Sequence, residues 1–395
     1  MVMLLQGVSL LLLFLAALPV AVLLVQTVAA LQKMRVSPPS VLSRASVAVL
    51  VPAHNEARGI AATIASIRAQ LQDGDRILVV ADNCSDETAA LALAAGAPVL
   101  ERQDEHQRGK GYALDGGVRQ LAENPPDVVI MIDADCILQP GTIARLADLA
   151  MTTQRPAQAL DLMQARKNSG LKMRIAEFAW IVKNQVRPLG FQRLGLPCQL
   201  MGTGMAFPWA LIRDAGLASG NLAEDMQLGI EMARKNAAPV FCPEACVISY
   251  FPAGEEAARM QRTRWEHGHM SMILHEGLPL LMQGLLKRDR MLIAMALDMC
   301  VPPVALLAFA TFALFITALL ACLVFGLVMP LLLATASLSG LILAILLAWQ
   351  RFARHVLSLS DLFSAASYIF WKLPLYLKFF ISRQVEWVRA KRDAD

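Results

Sequence analysis

Charged side chains are missing from two long stretches of this 395-residue sequence. None occurs in residues 1–32, and none occurs in residues 299–350. Each stretch exceeds the roughly 20 apolar residues that cross a bilayer core as a helix. With 56% hydrophobic residues in the whole chain, these stretches exclude a protein that is soluble throughout its length. We predict one transmembrane helix at residues 4–32 and two within residues 299–350.

The first stretch also lacks the features of a cleaved signal peptide. It has no basic residue at its start, its apolar run is too long, and no small-residue cleavage site stands out. We therefore expect residues 4–32 to stay in the protein as a membrane anchor.

Closely spaced cysteine pairs are absent as well. Seven cysteines are scattered along the chain, and the nearest two, Cys242 and Cys246, lack the CxxC spacing of a structural zinc site. Reduced, cytosolic thiols are the expected state. The net charge of +4 is small and dispersed, so we expect no nucleic-acid partner.

Basic residues lie beside the predicted spans. Lys33 and Arg35 follow the first span, and Arg351 and Arg354 follow the third. Lys and Arg near the ends of spans are retained on the cytoplasmic side. We therefore expect a protein of the cell inner (plasma) membrane, with its middle domain, residues 40–285, in the cytoplasm.

The C-terminal segment, residues 356–395, is apolar but interrupted by charges, and it ends in a basic run. A further crossing would export that basic tail. We predict interfacial amphipathic helices followed by a basic tail, with Trp371, Tyr376 and Trp387 at the depth of the lipid headgroups.

Short apolar runs alternate with helical patterns in the middle domain. The sequences VAVLVPA (47–53), RILVVAD (76–82) and VVIMIDAD (128–135) predict strands with helical segments between them. This alternation is typical of an α/β domain in which helices cover a parallel sheet. Ligands of such domains bind at the carboxyl ends of the strands.

Acidic residues stand where these strands end. Glu56 follows the first strand, Asp82 ends the second, and Asp133 and Asp135 end the last. Side chains alternate between the faces of a strand, so residues 133 and 135 are expected to point the same way, with Ala134 opposite. The strands are thus expected to bring four carboxylates to one rim of the sheet.

Two adjacent carboxylates repel each other unless a positive charge neutralises them. A hard cation such as Mg²⁺ or Mn²⁺, bound through few protein oxygens, commonly carries substrate phosphates as well. We predict Asp133 and Asp135 as ligands of such a cation. On this motif alone, a second interpretation stays open, in which both aspartates only cap the turn before Gly141.

Seven short motifs follow one another through the middle domain: VPAHNE, VVADNCSD, RGKGYAL, MIDAD, GTGMAF, AEDMQLG and QRTRW. Their order and spacing across residues 48–268 resemble the family 2 inverting glycosyltransferases. They resemble in particular the membrane branch of cellulose-synthase-like, hyaluronan-synthase-like and ceramide-glucosyltransferase-like enzymes. The resemblance implies a GT-A (Rossmann-like) fold with a mixed sheet, between N- and C-terminal transmembrane helices and with a C-terminal amphipathic segment.

The resemblance also implies a site for a nucleotide-sugar donor, with a UDP-sugar as the family's commonest choice. The residues implied to bind the donor are Glu56, Asp82, Lys110, Asp133, Gln261 and Arg264. Asp82 is implied to contact the nucleobase alone, because Ala81 stands where many members have another acidic residue. Arg264 is implied to hold the leaving diphosphate, for which a guanidinium group is well suited.

Catalysis and acceptor binding are implied for a second set of residues. Asp225 is implied to be the general base that removes a proton from the acceptor hydroxyl, with Glu224 beside it. Without the resemblance, both would be ordinary acidic residues at the start of a helix. Trp265 is implied to lie under the acceptor. Gly202 and Thr203 belong to a small-residue stretch whose backbone could approach the donor or the acceptor sugar, and we predict both residues as acceptor-binding. Glycine-rich turns are, however, commonly only turns.

The predicted activity is transfer of one sugar, with inversion, to a lipid-linked or glycan acceptor at the cytoplasmic face. The setting would be exopolysaccharide or glycolipid biosynthesis, with membrane lipids and other polysaccharide-assembly proteins as partners. Two alternatives stay open. One is a processive polysaccharide synthase that also translocates its polymer. The other is a membrane protein that binds nucleotide sugars without turnover.

A basic stretch has two interpretations. Between Arg166 and Arg193 there are seven basic residues and a single acidic residue, Glu177. In the first, these residues form a surface that binds lipid headgroups or a lipid diphosphate. In the second, they form the polar face of a solvated helix.

Overall fold

In the computed structural model of the protein, the described residues are 2–32, 45–219, 223–252 and 254–364. They form two compact units. The helical unit contains residues 2–32, 167–195 and 269–364. The sheet unit contains residues 45–166, 196–219, 223–252 and 254–268.

The sheet unit is built on one sheet, whose strands are numbered in chain order. The strands are β1 Val47–Ala53, β2 Arg76–Asp82, β3 Val99–Arg102, β4 Val128–Met131, β5 Ile137–Leu138, β6 Ala157–Gln164, β7 Met205–Pro208 and β8 Val240–Tyr250. Their spatial order is β3-β2-β1-β4-β7-β6-β8-β5. Strand β1 pairs in parallel with β2 and β4, whereas β7 is antiparallel to β4 and β6. The sheet is therefore mixed, as predicted.

The helices of both units are numbered in the same way. They are α1 Val2–Ala30, α2 Ile60–Arg68, α3 Thr88–Ala94, α4 Lys110–Leu121, α5 Thr142–Thr153, α6 Leu171–Ile181, α7 Arg187–Arg193, α8 Trp209–Ile212, α9 Glu224–Arg234, α10 Glu255–Met272, α11 Leu278–Lys287, α12 Arg290–Met299, α13 Val304–Phe325 and α14 Val328–Ala348. Single π-helical turns occur at Val182–Val186, Ile273–Gly277 and Trp349–Ala353.

Strand β1 lies near the middle of the sheet and is covered on both faces. Val49 and Val51 belong to one hydrophobic core, which includes Ile64 of α2. Leu50 belongs to the core on the opposite face, which includes Leu114 of α4. A strand buried on both faces needs a nearly continuous apolar sequence. This explains why β1 and β2 have the bounds that their apolar runs predicted.

Strand β4 is shorter than predicted. It ends at Met131, whereas the sequence predicted a strand through Asp135. Asp133 and Asp135 lie in a turn that is closed by a hydrogen bond from the Cys136 N–H to the Asp133 carbonyl oxygen, at 3.2 Å. The prediction that strand alternation aligns the two carboxylates is therefore wrong, because the backbone is no longer extended there.

The order of the strands defines where a ligand is expected. From β1 the chain proceeds to β2 and β3 on one side, and then β4 pairs on the other side of β1. Open α/β sheets bind ligands at such a reversal, outside the carboxyl ends of the strands. The residues after β1, β2 and β4 are those that the sequence singled out.

The helical unit contains the long apolar helices. Three helices in the described residues are long and apolar enough to cross a membrane: Leu13–Ala30, Val304–Phe325 and Val328–Ala353. This confirms the expected apolar helices near the N terminus and in the C-terminal region. The third continues through a π-helical turn to Ala353.

The helical unit also includes parts of the predicted middle domain. Residues 167–195 and 269–285 group with the apolar helices and not with the sheet. Helix α7 packs closely on α1: a methyl group added at Gly190 would lie only 2.0 Å from the carbonyl oxygen of Gln26. This close backbone-to-backbone contact explains why α7 and α1 lie in the same compact unit.

A buried polar network joins three helices of this unit. Asp298 Oδ1 accepts hydrogen bonds from Gln26 Nε2 at 2.6 Å and from Arg187 Nη2 at 2.9 Å. All three side chains are buried. Removing one partner of a buried ion pair leaves an uncompensated charge, which is strongly destabilising. Arg187, which belongs to the basic stretch, is therefore neither solvated nor directed at lipid headgroups.

Some sequence predictions fall outside the described residues. The basic residues predicted to follow the first span, Lys33 and Arg35, lie there. So does most of the segment that was predicted to be interfacial, from residue 365 onward.

We expect Gly190→Ala to lower the free energy of unfolding by about 1–3 kcal/mol, because overpacking forces backbone shifts. Gly7→Ala is the matched control on α1, since a methyl group there meets no atom of the described residues within 4 Å. Thermal unfolding of the detergent-purified variants measures the difference. Equal stability of both variants would contradict the packing of α7 on α1.

Candidate active site

The loops after β1 and β2 are tied together by hydrogen bonds. Asn55 has a left-handed backbone (φ 55°), which asparagine tolerates better than most residues. Its Oδ1 accepts a hydrogen bond from the Ser85 N–H at 2.7 Å. The next residue, Glu56, donates its N–H to Thr88 Oγ1 at 2.7 Å. These bonds hold Glu56 beside the end of β2.

Asp82 has a cationic partner, Arg102, that no sequence motif predicts. Its buried carboxylate accepts a hydrogen bond from Arg102 Nη1 at 2.6 Å. Asp82 and Arg102 are paired residues in the parallel strands β2 and β3. The guanidinium of Arg102 also donates to the Gln107 carbonyl oxygen at 2.7 Å and lies 5.7 Å from the ring centroid of Tyr112. Only the register of the strands could have revealed this pair.

The turn that contains Asp133 and Asp135 is held from two sides. The Asp133 N–H donates to Thr203 Oγ1 at 3.0 Å, and Thr63 Oγ1 donates to the Ala134 carbonyl oxygen at 2.8 Å. Thr203 is 4% exposed, so its hydroxyl supports Asp133 in this structure. Its predicted contact with an acceptor stays a prediction.

Lys110 is the first residue of α4. Its Nζ donates a hydrogen bond to the Gly202 carbonyl oxygen at 2.7 Å, and it forms an ion pair with Asp133 Oδ1. The lysine predicted to contact a nucleotide therefore links the acidic turn to the glycine-rich stretch.

A first cavity of about 150 Å³ lies at the carboxyl ends of β1, β2 and β4. It brings together seven residues that the sequence predicted for the site: Glu56, Asp82, Lys110, Asp133, Asp135, Gln261 and Arg264. The four carboxylates expected at one rim of the sheet thus line one cavity, and Lys110 and Arg264 line it as well. The cavity is lined by both signs of charge, as recognition of a diphosphate and its cation requires.

A second cavity, of about 20 Å³, lies next to the first and is bordered by Glu224 and Asp225. That volume holds about one water molecule. Lys110 borders both cavities. A methyl group at Gly202 would lie 3.4 Å from Asp225 Oδ2 and 3.6 Å from Lys110 Nζ. The predicted base is therefore a near neighbour of the first cavity, although Asp225 does not line it.

Helix α10 contributes Gln261 and Arg264 to the first cavity. Gln261 is 5% exposed, and its Oε1 has no hydrogen-bond partner within the part of the chain that the structure describes. A buried acceptor without a partner is costly, so a hydroxyl or N–H of a ligand would stabilise it. Trp265 is half-buried and is not among the described residues that line the two cavities.

The half-buried charged groups around Lys110 shift one another's pKa. Burial raises the pKa of Glu224 to about 7, and the neighbouring Asp225 carboxylate contributes in the same direction, while Lys110 opposes it. For Lys110, burial acts against the charged form, but Asp133, Glu224 and Asp225 together outweigh it and raise its pKa. Lys110 thus stays positively charged among three carboxylates.

The turn that contains Asp133 and Asp135 offers two carboxylates that can bind the same hard cation. No group of three or more His, Cys, Asp or Glu residues that could hold a metal occurs in residues 2–32, 45–219, 223–252 and 254–364. Asp133 and Asp135 both line the first cavity. An oxygen-only pair of this kind suits Mg²⁺ or Mn²⁺, provided that phosphates and water supply the other ligands. These residues therefore fit the predicted cation.

Residues 44–268 match the model of the family described as glycosyltransferase like family 2. This match covers more than half of the chain. The protein belongs to this glycosyltransferase family.

Curated relatives support the same family. An uncharacterised glycosyltransferase of Mycobacterium tuberculosis is 36% identical over 122 residues, which cover 29% of this chain and 51% of that protein. A Bacillus subtilis protein named probable glycosyltransferase YdaM is 26% identical over 243 residues, covering 58% of this chain and 56% of that protein. The chain thus spans about half the length of these relatives.

A solved structure shares the fold. It is a mannosyltransferase from Pyrobaculum calidifontis in complex with GDP-Man and Mn²⁺, with 18% identity and a TM-score of 0.50. The match covers 85% of this chain and 99% of that one. The predicted GT-A-like fold is therefore confirmed.

Gly111 of α4 provides a test of the geometry between the cavities. A methyl group there would lie 2.5 Å from the Leu217 carbonyl oxygen and 2.6 Å from the Ser219 carbonyl oxygen. Both residues border the second cavity with Glu224 and Asp225. We expect Gly111→Ala to displace this segment and to lower both sugar-transfer rate and thermal stability.

Gly116→Ala is the matched control for Gly111→Ala on the same helix. Within the part of the chain that the structure describes, the atoms nearest to its methyl group would be side-chain atoms of Arg102 and Leu100, 3.8 Å or more away. Alanine in a helix is about 0.5–1 kcal/mol more favourable than glycine, so this variant should be at least as stable as the wild type. Equal behaviour of the two variants would refute the role of the close approach at Gly111.

The raised pKa of Glu224 predicts a pH dependence of stability. The ordinary value is 4.5, and the folded value is about 7. Between these pH values Glu224 is ionised in the unfolded chain but keeps its proton in the folded chain. The free energy of unfolding therefore falls as pH rises through this window. We expect Glu224→Gln to remove most of that loss between pH 5 and pH 8, measured by thermal unfolding. An unchanged pH profile would contradict the assignment, and Glu123→Gln, at an exposed position, is the control.

Proposed function

We propose that the protein transfers a sugar from a nucleotide-sugar donor to a membrane lipid-linked acceptor, with inversion, at the cytoplasmic face. The observation that carries the proposal is the first cavity, where Asp133, Asp135, Lys110 and Arg264 surround one space at the strand reversal. In a family of glycosyltransferases, such a space suits the diphosphate of a donor. The mannosyltransferase that shares the fold was solved with a nucleotide sugar and Mn²⁺, which supports the same donor class.

The donor is proposed to lie along the rim from β2 to β4. Glu56 and Asp82 offer carboxylates for ribose and base, and the ion pair with Arg102 fixes the direction of Asp82. Arg264 and Lys110 offer cationic hydrogen-bond donors to the diphosphate oxygens, which are stronger than neutral ones. Asp133 and Asp135 would hold Mg²⁺ or Mn²⁺, which when bound supplies positive charge to the leaving diphosphate.

Proton transfer is proposed for the neighbouring pair Glu224 and Asp225. Asp225 accepts the proton of the acceptor hydroxyl, and the resulting oxygen bonds to the anomeric carbon on the face opposite the diphosphate. The bond from that carbon to the diphosphate oxygen breaks at the same time, and the nucleoside diphosphate leaves with the electron pair. A pKa of about 7 keeps Glu224 partly protonated near neutral pH. This protonation limits the negative charge of Glu224 and Asp225 together, and the positive charge of Lys110 compensates the remaining negative charge. Gly202 lets the acceptor approach, because it has no side chain between Asp225 and Lys110.

The acceptor and the cellular setting are proposals that rest on the helical unit. Its three apolar helices support attachment to a membrane. We propose the inner membrane, where a lipid-linked acceptor would be at hand for exopolysaccharide or glycolipid synthesis. We favour addition of a single sugar, since three candidate spans in the described residues are few for a pore around a polymer. Product length after incubation with labelled donor separates the two cases.

Substitution of the proposed base tests the function. We expect Asp225→Asn to reduce transfer by roughly 10²–10⁴-fold, as loss of a general base does, with donor affinity nearly unchanged. The assay is release of free nucleoside diphosphate by detergent-purified protein, given a panel of nucleotide sugars and membrane lipids with Mg²⁺ or Mn²⁺.

Asp214→Asn is the matched control, because Asp214 is exposed and paired with Arg213. A chelator should abolish transfer by the wild type. Undiminished transfer by Asp225→Asn would overturn the base assignment. Donor binding without any turnover by the wild type would instead favour a sensor.

A further inference from the structure

An apolar stripe faces outward on α11 and on the π-helical turn before it. Leu274, Leu278, Met282 and Leu285 are 61%, 66%, 48% and 53% exposed, and Leu286 is 80% exposed. Their spacing of four, four and three residues places the first four on one side of the helix, with Leu286 at its margin. Large apolar side chains that share a face and remain exposed indicate an interaction surface.

The orientation of this stripe is fixed by the opposite side of α11. Leu280 is completely buried. A methyl group at Gly284 would lie 2.8 Å from the backbone nitrogen of Ile293, so α11 packs closely on α12. The helix therefore cannot rotate to bury its exposed apolar face.

Cationic side chains gather where the stripe ends. Lys287, Arg288 and Arg290 are all exposed. The acidic residue among them, Asp289, caps α12 by accepting the Met291 N–H at 2.8 Å. The surface at this end of α11 therefore carries an excess of positive charge.

We propose that α11 lies on the membrane surface, with its apolar stripe among the acyl chains and with Lys287, Arg288 and Arg290 on anionic phospholipid headgroups. An apolar face bordered by cations is what the membrane interface requires. The chain continues through α12 into α13, whose Leu323 is 73% exposed, so the stripe belongs to the unit with the apolar helices. This inference does not depend on the catalytic proposal. It assigns residues 274–285, predicted as cytosolic, to the lipid surface.

Lipid photolabelling tests the position of the stripe. The full chain is placed in nanodiscs that contain a phospholipid with a photoreactive acyl chain, and labelled peptides are mapped by mass spectrometry. We expect labels on α11 as well as on α13. The α3 peptide, whose Leu93 is 56% exposed in the sheet unit, should stay unlabelled. Leu278→Gln/Leu286→Gln should lower α11 labelling several-fold, whereas Leu93→Gln should not.

The charge requirement is tested with nanodiscs of phosphatidylcholine, with or without phosphatidylglycerol. We expect several-fold stronger labelling of α11 in the anionic discs. Lys287→Gln/Arg290→Gln should reduce it to the neutral level, while Lys235→Gln, an exposed lysine of the sheet unit, should leave it unchanged. Arg288 is not substituted because its backbone is left-handed (φ 52°).

Three outcomes would overturn the proposal. The first is an unlabelled α11 beside a labelled α13 in both kinds of disc. The second is crosslinking of α11 to a second copy of the chain by an added bifunctional reagent, in discs where the photoreactive lipid leaves α11 unlabelled. The third is labelling that is equal in neutral and anionic discs and indifferent to the charge variants, which would refute the role of anionic headgroups.

Discussion

The ion pair between Lys110 and Asp133 is the contact on which the candidate site depends. Three carboxylates, those of Asp133, Glu224 and Asp225, act on this one ammonium group, and without it they would repel one another. The same group donates to the Gly202 carbonyl oxygen. Because Lys110 begins α4, the start of one helix determines how the acidic turn, the glycine-rich stretch and the second cavity are placed.

Much of the fold could be predicted because β1 and β2 are buried on both faces, which makes their apolar runs coincide with their bounds. The end of β4 could not, since it depends on a partner distant in sequence. Strand β7 pairs with β4 only from Val128 to Met131, and at Gly204 the backbone of that partner becomes left-handed (φ 66°). No property of residues 128–135 contains that information.

The site residues that belong to a recognisable motif could be predicted from the sequence. The residues that hold them in place could not, because they come from distant parts of the chain. Arg102 faces Asp82 through strand register, and Thr203 holds Asp133 across 70 positions of sequence. The contacts of the helical unit were harder to predict from the sequence than those of the site. Arg187 belongs to a basic stretch whose sequence suggests a charged surface, yet it is buried because Asp298 compensates it.

The hydrogen bond from Gln26 to Asp298 has a consequence for biosynthesis. Its two partners are 272 residues apart in the chain. At the usual pace of translation, the ribosome needs on the order of tens of seconds to cover that distance. During this interval the polar amide of α1 has no native partner, so insertion of the first apolar helix and completion of the helical unit are separate events.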